Sequence, residues 1–159
     1  MVAVQLLFVI GLANGAPILA QNLLRDNWQY PVDCGRNFPD GRPLFGVSKT
    51  WRGIAAALVA ATIGAVGVGL SAATGLWLGI GAMAGDLMSS FVKRRLGIAP
   101  SGMALGIDQV PEVLLPLLLV QHTVALTTSE IAAVTVLFLI IELLLSRVLY
   151  HLHIRKQPY

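Results

Sequence analysis

From Gly53 to Gly85 the chain carries no charged residue. Such a run is too long for one bilayer-crossing helix, which needs about 20 residues, and just enough for two short ones. Ser71-Ala72-Ala73-Thr74-Gly75 is the natural break between them. Gly64, Gly67, Gly69, Gly79 and Gly81 suit close helix packing in lipid. The rest of the chain agrees: 56% of its 159 residues are hydrophobic and 12% charged, with a mean hydropathy of +0.76. A water-soluble domain carries about twice that share of charge. The expectation is therefore an all-α integral membrane protein, one domain over residues 1–159, with spans near 2–24, 53–71, 75–92, 110–127 and 130–150. A net charge of +3 gives no reason to expect nucleic acid as a partner. The single cysteine, Cys34, excludes an internal disulfide and a cysteine-based zinc site, and reads as a bystander thiol.

The basic residues orient these spans. All eleven Lys and Arg lie between Arg25 and Arg52, around Lys93-Arg94-Arg95, or toward the C-terminus. The turns near Ala73 and Thr128 have none. By the positive-inside rule both polar loops and the C-terminus face the cytoplasm and the N-terminus lies outside, in a multi-pass cell-membrane protein. The first span has no basic n-region, so a cleaved signal peptide is not expected. Its middle, Asn14-Gly15-Ala16-Pro17, suits either a wet cavity or a proline kink with Asn14 bonded to a neighbouring helix.

Within the loop from Arg25 to Arg52, Asp40-Gly41-Arg42-Pro43 reads as a turn. Gly46 to Thr50 looks superficially like a phosphate loop, but Ser48 stands where a glycine should precede the lysine, and no strand precedes it. What remains is a cationic surface loop, either anion-binding or simply solvated, with Trp51 as an interface anchor. Asp86 stands apart, because an acid within a membrane helix is costly and marks function by default. On a helix, Asp86, Ser90, Lys93 and Gly97 share one face, which carries a carboxylate, a hydroxyl and a cation. Asp108 is placed to cap a fourth helix with Pro111 and Glu112 in its first turn. Glu142 in the fifth span reads as a structural partner of Arg147 or of another helix, and His122 as incidental.

Three stretches in order carry a resemblance: Ala13-Asn14-Gly15-Ala16-Pro17; Asp40-Gly41-Arg42-Pro43-Leu44-Phe45-Gly46 with Lys49-Thr50-Trp51-Arg52-Gly53; and Gly85-Asp86, Ser90-Phe91, Lys93-Arg94-Arg95 with Asp108-Gln109. Together they resemble the CDP-archaeol synthase family, itself similar to the CDP-diacylglycerol synthases. The resemblance implies a five-helix membrane enzyme that transfers CMP from CTP to a membrane glycerolipid phosphate and releases pyrophosphate, with Mg²⁺ as cofactor. It makes Asp86, Lys93 and Asp108 the catalytic candidates and Asp86 with Asp108 the metal ligands. Lys49, Thr50, Arg52, Ser90, Arg94, Arg95 and Asn14 become nucleotide- or phosphate-binding candidates. The chain departs from the family pattern at Ser89, where many members have lysine, and at Pro111-Glu112, where many read Asp-Gln-x-Asp. Lys93, Arg94 and Arg95 suit a grip on a triphosphate. No general base is required, since a lipid phosphate is already ionised at neutral pH. Two other readings are a CDP-alcohol phosphotransferase, whose acidic spacing is absent after Asp40-Gly41, and a non-enzymatic small transporter or assembly protein using Asp86 and Glu142 as an ion path.

Overall fold

The computed structural model describes residues 2–99, 102, 104 and 106–151. These residues form five helices: α1 (Val2–Leu24), α2 (Trp51–Gly67), α3 (Ala72–Arg95), α4 (Gln109–Val120) and α5 (Thr128–His151). Among the described residues there are no strands, only isolated bridges pairing Pro31 with Thr50 and Asn37 with Pro43. Helices α1 and α3 are long and apolar enough to cross a membrane, with mean hydropathies of 2.0 and 1.3.

Helix α3 is the hub. It packs on α1, α2 and α4, whereas among the described residues α5 touches only α4 and α1. The buried stripe of α1, Leu6, Val9, Ile10 and Ala13, has the i, i+3, i+4, i+7 spacing of a helix with one inward face. It meets Ala57, Ala61, Leu78 and Leu117 in a single apolar core. Outside that core large side chains are bare: Leu19, Leu23, Ile63, Val66, Trp77, Val136 and Leu144 are all exposed. Apolar surface spread over so many helices is the face a protein shows to lipid.

Caps and left-handed residues set the helix ends. Thr50 caps α2 by accepting from the Gly53 N–H, and Ser71 caps α3 by accepting from the Thr74 N–H. The basic residues Lys93, Arg94 and Arg95 occupy the last turn of α3, where cations oppose the helix dipole. Gly97, at φ 76°, then turns the chain so that the Ile98 N–H bonds the Lys93 carbonyl. At α5, Thr127 and Glu130 each accept from the other's backbone N–H, a capping box.

Three expectations are corrected. Helix α4 ends at Val120 rather than near Thr127, because Gln121 onward turns through Ala125 at φ 52° before α5 begins. Its 12 residues rise only about 18 Å, short of the ~30 Å hydrocarbon core. Asp108 occupies the N-cap position of α4 but makes no capping bond. Gly97 lies beyond the end of α3, so it does not extend the face shared by Asp86, Ser90 and Lys93.

Candidate active site

The loop between α1 and α2 folds back over the end of α3, and one buried carboxylate organises it. Asp33 accepts from the N–H groups of Gly35, Phe45 and Gly46 at 2.9–3.0 Å. Burial pushes its carboxyl up, but the donors from Gly46, Phe45 and Gly35 outweigh that and hold it below the usual carboxylate range. The turn that follows is pinned by the Val32 N–H on the Lys49 carbonyl at 2.8 Å. Lys49 thereby reaches α3, its Nζ 2.6 Å from Asp86 Oδ1.

The second loop is pinned by side chains from both helices it joins. Lys93 Nζ lies 2.6 Å from Asp108 Oδ1 and donates to the Gly102 carbonyl at 3.0 Å. Asp108 Oδ2 accepts from the Ala104 N–H, and Gln109 Oε1 from the Gly106 N–H. Arg94 donates to the Ala99 carbonyl at 3.1 Å, while its Nε and Nη1 are buried without a hydrogen-bond partner.

These groups enclose a cavity of about 350 Å³ between the two loops and the ends of the helices. Asn14 from α1, Lys49, Thr50 and Arg52 from the first loop and α2, and Asp86, Ser90, Lys93 and Arg94 from α3 all line it. Asp108, Glu112 and Glu142 complete its acidic side. Of the catalytic, metal and phosphate-binding candidates named from the sequence, Arg95 is the one that does not line the cavity. Its guanidinium instead bonds Asp40 and the carbonyls of Arg42 and Pro43. Arg52 is partly committed too, donating through Nη1 to the Arg25 and Asn27 carbonyls. Both amide atoms of Asn14 are buried without a partner, so the cavity reading of that side chain fits better than a bond to a neighbouring helix. Ser89 points elsewhere, donating to the Asp86 carbonyl at 2.9 Å.

The sequence reading did not assign Glu112 a site role. Its carboxyl lines the same cavity as those of Asp86 and Glu142. The cause is a backbone approach: a Cβ on Gly85 would overlap the Pro111 carbonyl group and the Glu112 nitrogen, so only glycine lets α4 come this close. The available signal was Gly85 directly before Asp86. Glu142, expected to be a structural partner, also faces the cavity.

Four carboxyl groups on one cavity wall, those of Asp86, Asp108, Glu112 and Glu142, call for positive charge, which Lys49 and Lys93 supply here. Among the described residues no three His, Cys, Asp or Glu side chains converge closely enough to hold a metal alone. The donor set nevertheless fits Mg²⁺, which is commonly held by one or two carboxylates together with substrate phosphates.

An all-helical bundle clad in apolar side chains, with a charged cavity at one end, belongs to the class of intramembrane enzymes. One such solved structure, of an intramembrane enzyme for archaeal membrane lipid biosynthesis, is similar at a TM-score of 0.71 and 33% identity, covering 89% of this chain and 90% of that one. A family model described as CarS-like, CDP-archaeol synthase, matches residues 27–159. The CDP-archaeol synthase of Pyrobaculum arsenaticum is 34% identical over 92% of this chain and 91% of its own length. That of Saccharolobus islandicus is 39% identical over 81% of each. The chain belongs to the CDP-archaeol synthase family, and the phosphotransferase and transporter readings fall away.

Proposed function

We propose that CTP and a membrane glycerolipid phosphate meet in this cavity, where CMP is transferred to the lipid phosphate. As a family member the chain is a CTP-dependent cytidylyltransferase that forms a CDP-lipid. A phosphate oxygen of the lipid attacks the α-phosphorus of CTP, the bond from that phosphorus to the bridging oxygen breaks, and pyrophosphate leaves. The observation that carries the site assignment is the convergence of Lys49, Lys93 and Arg94 with Asp86, Asp108 and Glu112 around one cavity.

The contacts support the following roles. Arg94 has two nitrogens without partners and offers them to phosphate oxygens. Lys93 and Lys49, each now on a carboxylate, exchange that partner for phosphate. Thr50, Ser90, Arg52 and Asn14 supply neutral or partly committed donors around the nucleotide and lipid phosphate. Asp86 and Asp108, with Glu112 against Asp86, would hold Mg²⁺. When bound, that ion neutralises triphosphate charge and eases departure of pyrophosphate. The two reacting anions repel one another in water; the cationic wall lowers that barrier by electrostatics.

The orientation is part of the same proposal: five membrane-embedded helices in the cell membrane, with the N-terminus outside and the cavity and C-terminus cytoplasmic. The support is that the basic first loop and the basic end of α3 meet at one end of the bundle, tied by Arg42 to the Arg94 carbonyl and by Lys49 to Asp86. Bilayer-borne lipid and soluble CTP then reach the cavity from different phases.

The test is purified protein with Mg²⁺, CTP and a panel of lipid phosphates headed by the phosphate of archaeol, the lipid in the relatives' name. Pyrophosphate release together with a CDP-lipid product is expected. Equal turnover with ATP, or no product with any acceptor, rejects the proposal.

A further inference from the structure

Lys93, Arg94 and Arg95 are consecutive on a helix, so their side chains leave α3 about 100° apart. Lys93 and Arg94 turn into the cavity, and Arg95 turns away from it. Its Nη1 donates to Asp40 Oδ1 at 2.8 Å, and its Nη2 to the carbonyls of Arg42 (3.3 Å) and Pro43. The guanidinium also lies over two rings, 4.7 Å from the centroid of Phe38 and 4.9 Å from that of Phe91. Those rings meet edge to face at 5.4 Å, one from the loop and one from α3. The exchange is reciprocal, because Arg42 Nη1 donates back to the Arg94 and Arg95 carbonyls at the end of α3. A planar cation with several donors, stacked and multiply bonded, is the arrangement a lysine cannot reproduce.

We propose that Arg95 is a positioning residue: a clasp that fixes the loop from Asp33 to Lys49 on the end of α3 and so sets Lys49 against Asp86. The connection is short. Pro43, held by Arg95, is followed by Phe45 and Gly46, whose N–H groups bond Asp33. The Gly46 carbonyl accepts from the Lys49 N–H at 3.1 Å, and the Lys49 carbonyl accepts from Val32. Every link from the clasp to the Lys49 backbone is thus a hydrogen bond or a few residues of chain. Arg95 contributes no charge to the substrate phosphates, in contrast to the role its place in a basic triplet implies.

Two experiments test this, and the second does not depend on the proposed reaction. In the kinetic arm, Arg95→Ala lowers kcat/KM for CTP by about ten- to a hundredfold, the scale of a misplaced site group. It moves the same parameter, kcat or KM, that Lys49→Ala moves, and adds little in a Lys49→Ala background, because residues acting in series are not additive. Arg95→Lys behaves like Arg95→Ala. Losses that multiply in the double variant, or full activity in Arg95→Lys, would overturn the proposal and return Arg95 to the phosphates. In the structural arm, hydrogen exchange of the Phe45 and Gly46 amides is followed without substrate. Exchange speeds up in Arg95→Ala and in the gentler Asp40→Asn, and stays at the wild-type rate in Arg94→Ala. Unchanged exchange in both clasp variants would also overturn it. Faster exchange in a protein that shows no CTP turnover would uphold the clasp and reject only the assigned reaction.

Discussion

On the side of α3 that faces α2, Gly75 and Gly79 let the helix settle against Ala61, Ala65 and Leu58. On the side that faces α4, Gly81 and Gly85 let it settle against Pro116 and against Pro111 and Glu112. Both seams use small residues four apart, the usual way helices approach in lipid. The first seam joins apolar chain to apolar chain. The second ends at Asp86 and Glu112, so the same close approach that packs the helices also brings two acids to one cavity. Packing and chemistry are separable at one seam and fused at the other.

The sharpest way to break that contrast is to remove the chemistry alone. Asp86→Asn keeps the shape of the second seam, and turnover should fall by about 10²–10³ or more while the protein still inserts and purifies. Near-normal turnover would leave the carboxylate without a role. Gly85→Ala attacks the packing instead. Its methyl has no space beside the Pro111 carbonyl, so α4 must shift and drag Glu112 and Asp108 with it. A loss of about ten- to a hundredfold in turnover is expected, with a lower Tm in thermal unfolding.

Arg94→Ala comes next. It deletes one bond, to Ala99, and two unpartnered nitrogens, so CTP affinity should drop about tenfold or somewhat more with little change in Tm. Lys93→Ala makes the useful contrast, since it also strands Asp108 and should cost more stability. At the first seam, Gly79→Ala meets Leu58 and Ala61 at 3.1–3.2 Å, within reach of a small adjustment. Activity should stay within about twofold of wild type, as for most changes away from a site. A large loss there would show that the two seams are mechanically coupled.

The smallest effect concerns the loop. Folding lowers the Asp33 pKa, so the folded loop prefers the carboxylate. Its contribution is whole above the ordinary value of 3.8 and drains away as pH falls through the lower folded value. Exchange of the Phe45 and Gly46 amides should therefore quicken only below about pH 4. In Asp33→Asn that acid-dependent step should vanish.

The helices were legible because uncharged length and small-residue spacing are properties of the chain alone. So was most of the cavity lining: an acid inside an apolar helix is too costly to keep without a task, and Ser90 and Lys93 follow it at helical spacing. Arg95 was not legible, because its direction differs from that of Arg94 by one residue's rotation. What waits in that direction is a loop more than fifty residues earlier in the chain. Asp108 looked like a cap because its position is that of a cap. The competing offer, a lysine on the preceding helix, exists only after α3 and α4 have packed. Glu112 was missed for the same reason, since its approach to Asp86 depends on a backbone contact at Gly85. The early end of α4 rests on a left-handed alanine, a backbone state that alanine does not advertise.

The cavity's size has a consequence for selectivity. At about 350 Å³ it stands at the small end of the ~300–1,000 Å³ range for sites that hold one small molecule. On the proposed function a nucleotide and a phosphate headgroup would exhaust that room, and the hydrocarbon tails of the acceptor would stay behind in the bilayer. The enclosed part of an enzyme working in this way would inspect a headgroup and be blind to chain length, branching and saturation. Whatever preference it has between lipids must be exercised at the threshold, by the apolar flanks a lipid slides past before its phosphate arrives.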